Sequence, residues 1–112
     1  MTTTRQYKVS RLLQKELGNI FQREGNRIFA GKMITVTAVR ITPDLGQARV
    51  FLSIFPAAEK TLFDKTIGEH SQHIRHELGN RIRHQLRMVP ELQFFLDDSL
   101  DYIENIDRLL KK

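Results

Sequence analysis

The 112-residue sequence has no cysteine, which removes disulfides, thiolate metal sites and a cysteine nucleophile. No apolar run approaches the roughly 20 residues that a membrane-crossing helix needs. Met1-Thr2-Thr3-Thr4-Arg5 leads into a charged amphipathic stretch instead of the apolar segment of a signal peptide. A cytoplasmic protein with no membrane partner is therefore expected. Catalytic signatures are missing too. There is no HExxH, no glycine loop of the Walker or dinucleotide type, and no local serine–histidine–acid arrangement around Ser71 or Ser99. His70, His73 and His76 recur at a steady spacing of three, which drifts around a helix, and no carboxylate or cysteine completes a ligand set. Asp97, Asp98 and Asp101 stand where a helix start needs caps, which explains them better than paired acid–base chemistry. A non-enzyme without metal or cofactor is the expectation.

What is present begins with charge. Eighteen Lys and Arg oppose thirteen Asp and Glu, a net charge of +5, and the excess is unevenly placed. Residues 1–58 carry +6, residues 59–89 carry +2 and residues 90–112 carry −3. A basic body with an acidic end suits a polyanion, because releasing counterions from phosphates favours association. The length fits one domain spanning 1–112.

Thr4 or a neighbour can cap a first helix to about Arg23, with Val9, Leu12, Leu13, Leu17, Ile20 and Phe21 on one stripe. Gly25-Asn26 is expected to stop it. Ile34–Ile41 and Ala48–Phe55 read as a hairpin around the turn Thr42-Pro43-Asp44-Leu45-Gly46, where Gly46 supplies conformational freedom. In the second strand Ala48, Val50, Leu52 and Ile54 make the inner face, leaving Arg49, Phe51 and Ser53 on the other. From Ala57 to about Leu86 the chain reads helical. A break or kink is expected near Gly68 to Gln72, because polar residues interrupt the apolar pattern before Ile74, Leu78, Ile82 and Leu86 resume it. Val89-Pro90 marks a boundary. Leu92, Phe94 and Leu96 alternate as a third strand, and Asp97 or Asp98 caps a last helix, Ser99 to about Leu110. The order α-β-β-α-α-β-α predicts an α+β fold, a three-stranded sheet with helices on one face. It is the element order of a type II KH-like domain with an added C-terminal helix. The GXXG loop of ordinary KH domains is absent.

Two basic rows are candidate RNA contacts. His73, His76, Asn80, Arg83 and Arg87 fall opposite the apolar stripe of their helix, and Lys8, Arg11 and Lys15 share one side of the first. Long cations standing clear of a core in a row can track phosphates, although a solvated helix face looks the same in sequence. Ser71, Gln72 and Arg75 at the expected break and Arg81 on the helix after it complete the candidate set. Phe51 and Phe55 point away from the inner face; they could stack on bases, though such residues more often pack under a helix or at a sheet edge. A DNA-binding regulator using the helix pair as a helix-turn-helix is the alternative, with Arg81, Arg83 and Arg87 on its second helix.

Three segments resemble the ribosome-binding factor A family. They are Tyr7–Leu17, then Val36–Ser53 with its Pro43-Asp44 turn and Ala48, and finally Ile74-Arg75, Arg81-Ile82-Arg83 and Val89–Ser99 with its Pro-Glu-Leu-x-Phe run. The resemblance implies a KH-like fold with a helix-kink-helix in place of GXXG. The family's Ala-x-Gly at the kink falls on His70, Ser71 and Gln72, and the chain is about two residues longer around Arg83–Leu86. It also implies binding to the immature small ribosomal subunit and its 16S rRNA near the 5′ end; a monomer is expected. Late rRNA maturation, notably in the cold, would be the process assisted, with a ribosome-assembly GTPase aiding release. Some members carry a long charged tail; this sequence ends at Lys112.

Overall fold

The computed structural model describes residues 3–29, 31–55 and 59–97. In chain order they form α1 (Thr4–Ile28), β1 (Met33–Ile41), β2 (Gln47–Phe55), α2 (Lys60–Ile82) and β3 (Glu91–Leu96). The sheet order is β1-β2-β3, with β1 and β2 antiparallel and β2 and β3 parallel. A parallel pair needs a crossover, and α2 supplies it. The expected C-terminal helix lies outside the described residues.

Helix α1 starts on a reciprocal cap. The Thr3 side chain accepts from the Gln6 backbone N–H, and the Gln6 side chain accepts from that of Thr3. The Gln6 amide also donates to the Ile41 carbonyl at 3.1 Å, so this buried polar side chain is satisfied at both ends and ties the helix start to the end of β1. The helix does not stop at Gly25-Asn26 as expected. It continues to Ile28, and the Phe29 N–H closes on the Gly25 carbonyl. Gly25 serves packing instead: a Cβ there would lie 3.0 Å from Ile34 Cδ1, so its absence lets α1 approach β1. The left-handed residue after the helix is Gly31, with φ 85°.

In the hairpin the strands fall where alternation places them, with a bulge between Val36 and Ala38. The positive φ belongs to Leu45 and not to Gly46. Leu45 tolerates it because its side chain packs on the core and its N–H bonds the Thr42 carbonyl at 2.9 Å. Asp44 closes the turn by accepting from the Thr42 hydroxyl and the Gly46 N–H, and these bonds hold its carboxyl below the ordinary value.

The expected break in the second helical region is absent: residues 60–82 are one helix. Its buried side chains are Phe63, Ile67, Ile74, Leu78 and Ile82. The gap from 67 to 74 is seven residues, about two turns, so the stripe stays in phase across one missing rung. His70 and Ser71 occupy that rung, half-buried. The helix also ends four residues early, at Ile82, where the Leu86 N–H bonds the Ile82 carbonyl and Leu86 folds back onto the core.

All of this apolar surface meets in one core. Leu13, Leu17, Ile20 and Phe21 of α1 pack with Val50 and Leu52 of β2 and with Ile74 and Leu78 of α2. Phe21 meets Phe94 edge-on, and Phe29 stacks on Phe63. Both helices lie on the same face of the sheet. Among the described residues, no element covers the other face.

Candidate nucleic-acid interface

Helices α1 and α2 run antiparallel and are stitched by ion pairs. Glu16 bonds Arg81 at 3.3 Å, Arg23 bonds Glu77 at 3.1 Å, and Glu24 accepts from His73 at 3.1 Å; within α1, Arg27 also donates to Glu24 at 2.8 Å. The His73 hydrogen bond, with the nearby charges of His73, Arg27 and Arg23, holds the Glu24 carboxyl below its ordinary value against the opposing effect of burial. The other Glu24 oxygen, Oε2, is buried without a partner among the described residues. Arg81 and His73, both candidate RNA contacts, thus serve this seam.

On the side of α2 away from α1, the chain past Ile82 turns back and walls a groove of about 630 Å³. Gln72, Arg75, His76, Asn80 and Arg87 line it, so five sequence-predicted residues converge on one site. Arg75 builds the wall: its Nε donates to the Pro90 carbonyl at 3.2 Å and its Nη2 to that of Val89 at 2.9 Å. Gly79 is the part that sequence reasoning missed. A Cβ there would come within 3.1 Å of Val89 Cγ2, so its bare backbone lets the returning chain sit close. Residues Met88 and Val89 were missed as well, since only the return of the chain after Ile82 brings them to α2. No periodic signal in the sequence marks any of the three.

Electrostatically the groove is cationic. Arg87 makes no ion pair or side-chain hydrogen bond with a described residue, and Arg83 has only a 3.4 Å contact with His84. His76, Asn80 and Gln72 are exposed beside them. A concave surface with an unpaired guanidinium, an imidazole and two amides offers donors for phosphate and ribose oxygens. Because Arg83 and Arg87 lie beyond the helix, the expected single row along α2 ends at Asn80 and bends into the loop.

The remaining candidates sit elsewhere. Lys8, Arg11 and Lys15 are exposed on α1, and the Arg11 guanidinium lies 6.0 Å from the centre of the Tyr7 ring. Lys15 edges a second groove, about 750 Å³, between α1 and the open side of β1. Ser71 is half-buried on the inner side of α2. Among the described residues, no group of three histidine, cysteine or acidic side chains could hold a metal ion, and no helix is long and apolar enough to cross a membrane.

Comparison with known proteins agrees with this architecture. A sequence profile described as "Ribosome-binding factor A" matches residues 5–110. Ribosome-binding factor A of Cytophaga hutchinsonii is 42% identical over 112 residues, covering 100% of this chain and 84% of its own. That of Christiangramia forsetii is 45% identical, covering 97% and 84%. The crystal structure of ribosome-binding factor A from Thermus thermophilus superposes with a TM-score of 0.66 at 22% identity, over 81% of this chain and 94% of that one. A Thermus thermophilus homology model, fitted into a cryo-EM map of a complex with the 30S subunit, gives 0.59 at 27% identity, over 75% and 86%. The fold is the α+β, KH-like one, and the chain belongs to the ribosome-binding factor A family.

Proposed function

We propose that this protein binds the immature small ribosomal subunit by its 16S rRNA, near the 5′ end, and assists late rRNA maturation without making or breaking a bond. The observation that carries the reading is the convergence of Gln72, Arg75, His76, Asn80 and Arg87 on one groove beside Arg83. Arg87 and the Gln72 and Asn80 amides, which make no side-chain hydrogen bond with a described residue, match a folded RNA backbone. The relative fitted into a 30S complex supports the subunit as the target.

Arg87, Arg83, His76, Asn80 and Gln72 contact the RNA; Arg75 holds the wall that presents Arg87. The α1 row of Lys8, Arg11 and Lys15 adds a wider cationic field, His73 and Arg81 brace the helices behind the contacts, and Ser71 lies half-buried between. The mechanism is binding energy, which favours one rRNA conformation over another. The protein acts as a cytoplasmic monomer, one domain over residues 1–112, and a ribosome-assembly GTPase aids its release. The helix-turn-helix alternative loses its footing, since residues 60–82 form one helix and not a pair.

The test is cosedimentation of the purified protein with free small subunits, paired with deletion of its gene. The protein should travel with the small subunit, and the deletion should accumulate precursor small-subunit RNA in the cold. A chain that ignores free small subunits at moderate ionic strength contradicts the reading.

A further inference from the structure

We infer that the sheet face opposite the helices is a second nucleic-acid site, which stacks unpaired bases of a single strand on Phe51 and Phe95 while Arg40 and Arg49 take its phosphates. This extends the RNA-binding reading to the other side of the molecule and uses none of the α2 groove.

The register sets out the site. Phe51 of β2 and Phe95 of β3 are direct partners, and their rings stack with centroids 5.4 Å apart at 26°. Phe95 is 41% exposed. In the neighbouring row on the same face, Arg40 stands directly across from Arg49. Two residues along a strand separate the rows by about 7 Å. At the far end, Met33 and Phe55 face each other, both more than half exposed. This side of the sheet therefore carries an aromatic platform, an apolar margin and a pair of guanidiniums.

The arginine pair is the feature that needs an explanation. Like charges directly opposite on a sheet destabilise it. Neither Arg40 nor Arg49 has an ion pair or side-chain hydrogen bond with a described residue. Among the described residues, the face also holds two carboxylates. Glu91 is paired with Gln47, one row beyond Arg49, and makes no ion pair with it. Asp97 accepts a hydrogen bond from the Thr37 hydroxyl. Among the described residues, no anion stands against either arginine.

Chemistry selects the anion. A purely apolar protein surface placed here would bury both guanidiniums unpaired, an arrangement that desolvation strongly disfavours. Duplex RNA would satisfy them but keeps its bases stacked inside. A single strand meets both demands, since unstacked bases present π-faces to aromatic rings while the backbone supplies phosphates.

The test uses the full-length protein and a fluorescein-labelled single-stranded uridine decamer, followed by anisotropy, with a 5-iodouridine version for photo-cross-linking. Cross-links should map to Phe51 or Phe95. The double substitution Phe51→Leu/Phe95→Leu keeps apolar bulk and removes the rings. It should weaken the decamer by at least about fivefold, the lower end of what one base–aromatic stack supplies. Should that variant fail to fold, Arg40→Gln/Arg49→Gln keeps the inference exposed. It should lower the slope of log affinity against log salt by about 1.4, or 0.7 per phosphate contact on a single strand. Unchanged decamer affinity in a folded variant, or cross-links confined to residues 72–89, overturns the inference. So does a leucine variant that loses the small subunit but keeps the decamer, because the face then holds a protein. Subunit binding of Arg83 and Arg87 variants tests the α2 groove separately.

Discussion

Replacing Gly68 with alanine should stabilise the protein, and the reason lies in the continuity of α2. Gly68 sits within Lys60–Ile82, exposed, and a Cβ added there would meet nothing within 4 Å. Its φ is not positive, so alanine fits the backbone without strain. A mid-helix glycine costs roughly 0.5–1 kcal/mol relative to alanine. Unfolding entropy of about 2.1 cal/mol/K per residue gives about 0.24 kcal/mol/K for 112 residues. Gly68→Ala should therefore raise Tm by roughly 2–4 °C. Circular dichroism melts and urea titrations measure it directly. Gly79→Ala is the control on the same helix: it has the same propensity gain, opposed by a Cβ 3.1 Å from Val89 Cγ2, and should rank below Gly68→Ala. A fall in Tm for Gly68→Ala would refute the continuous helix, since it would mean that the backbone at 68 needs a conformation alanine resists.

Three further substitutions probe the parts that present the groove. Ile74→Ala should cost about 2–5 kcal/mol in urea unfolding, because Ile74 is fully buried where the apolar stripe resumes; a cost under about 1 kcal/mol would show that α2 does not sit in this phase. Arg75→Met removes both bonds to the Val89 and Pro90 carbonyls. It should cost about 1 kcal/mol and speed amide hydrogen exchange across residues 86–92, leaving α1 unchanged. Glu24→Gln tests the helix seam by pH. The folded-state pKa of Glu24 is depressed, so its contribution is present above the unfolded value and lost as pH falls through the folded one. The variant should be less stable at neutral pH, and the gap to the wild type should close as Glu24 protonates in acid; a gap independent of pH contradicts that assignment.

Much of the fold is legible in the sequence because alternation and helical periodicity report burial directly. Ala48, Val50, Leu52 and Ile54 go inward, and Leu13, Leu17 and Ile20 line the core, as their spacing requires. The failures share a cause: glycine and polar residues signal breaks only where tertiary contacts permit them. Gly25 looks like a stop and is instead a point of close approach to Ile34. The polar rung at His70-Ser71 looks like a break, yet the helix runs through it and the residues on either side stay in phase. At the candidate site, Gln72, Arg75, His76, Asn80 and Arg87 are readable as polar and basic residues. Their division of labour is not, because Arg75 bonds carbonyls 14 and 15 residues away and Arg81 bonds Glu16 from another helix. A wheel shows one helix and nothing of its neighbours.

Whether the α2 groove grips RNA by its phosphates can be read from the salt dependence of binding to free small subunits. Wild-type protein and Arg83→Glu/Arg87→Glu would be titrated against purified subunits from about 50 to 200 mM salt. If these guanidiniums meet phosphates, the variant should bind more weakly, and its slope of log affinity against log salt should be shallower by about 1.4–1.8, two contacts' worth. Equal affinities and equal slopes for the two folded proteins would mean that the groove beside α2 does not hold the RNA.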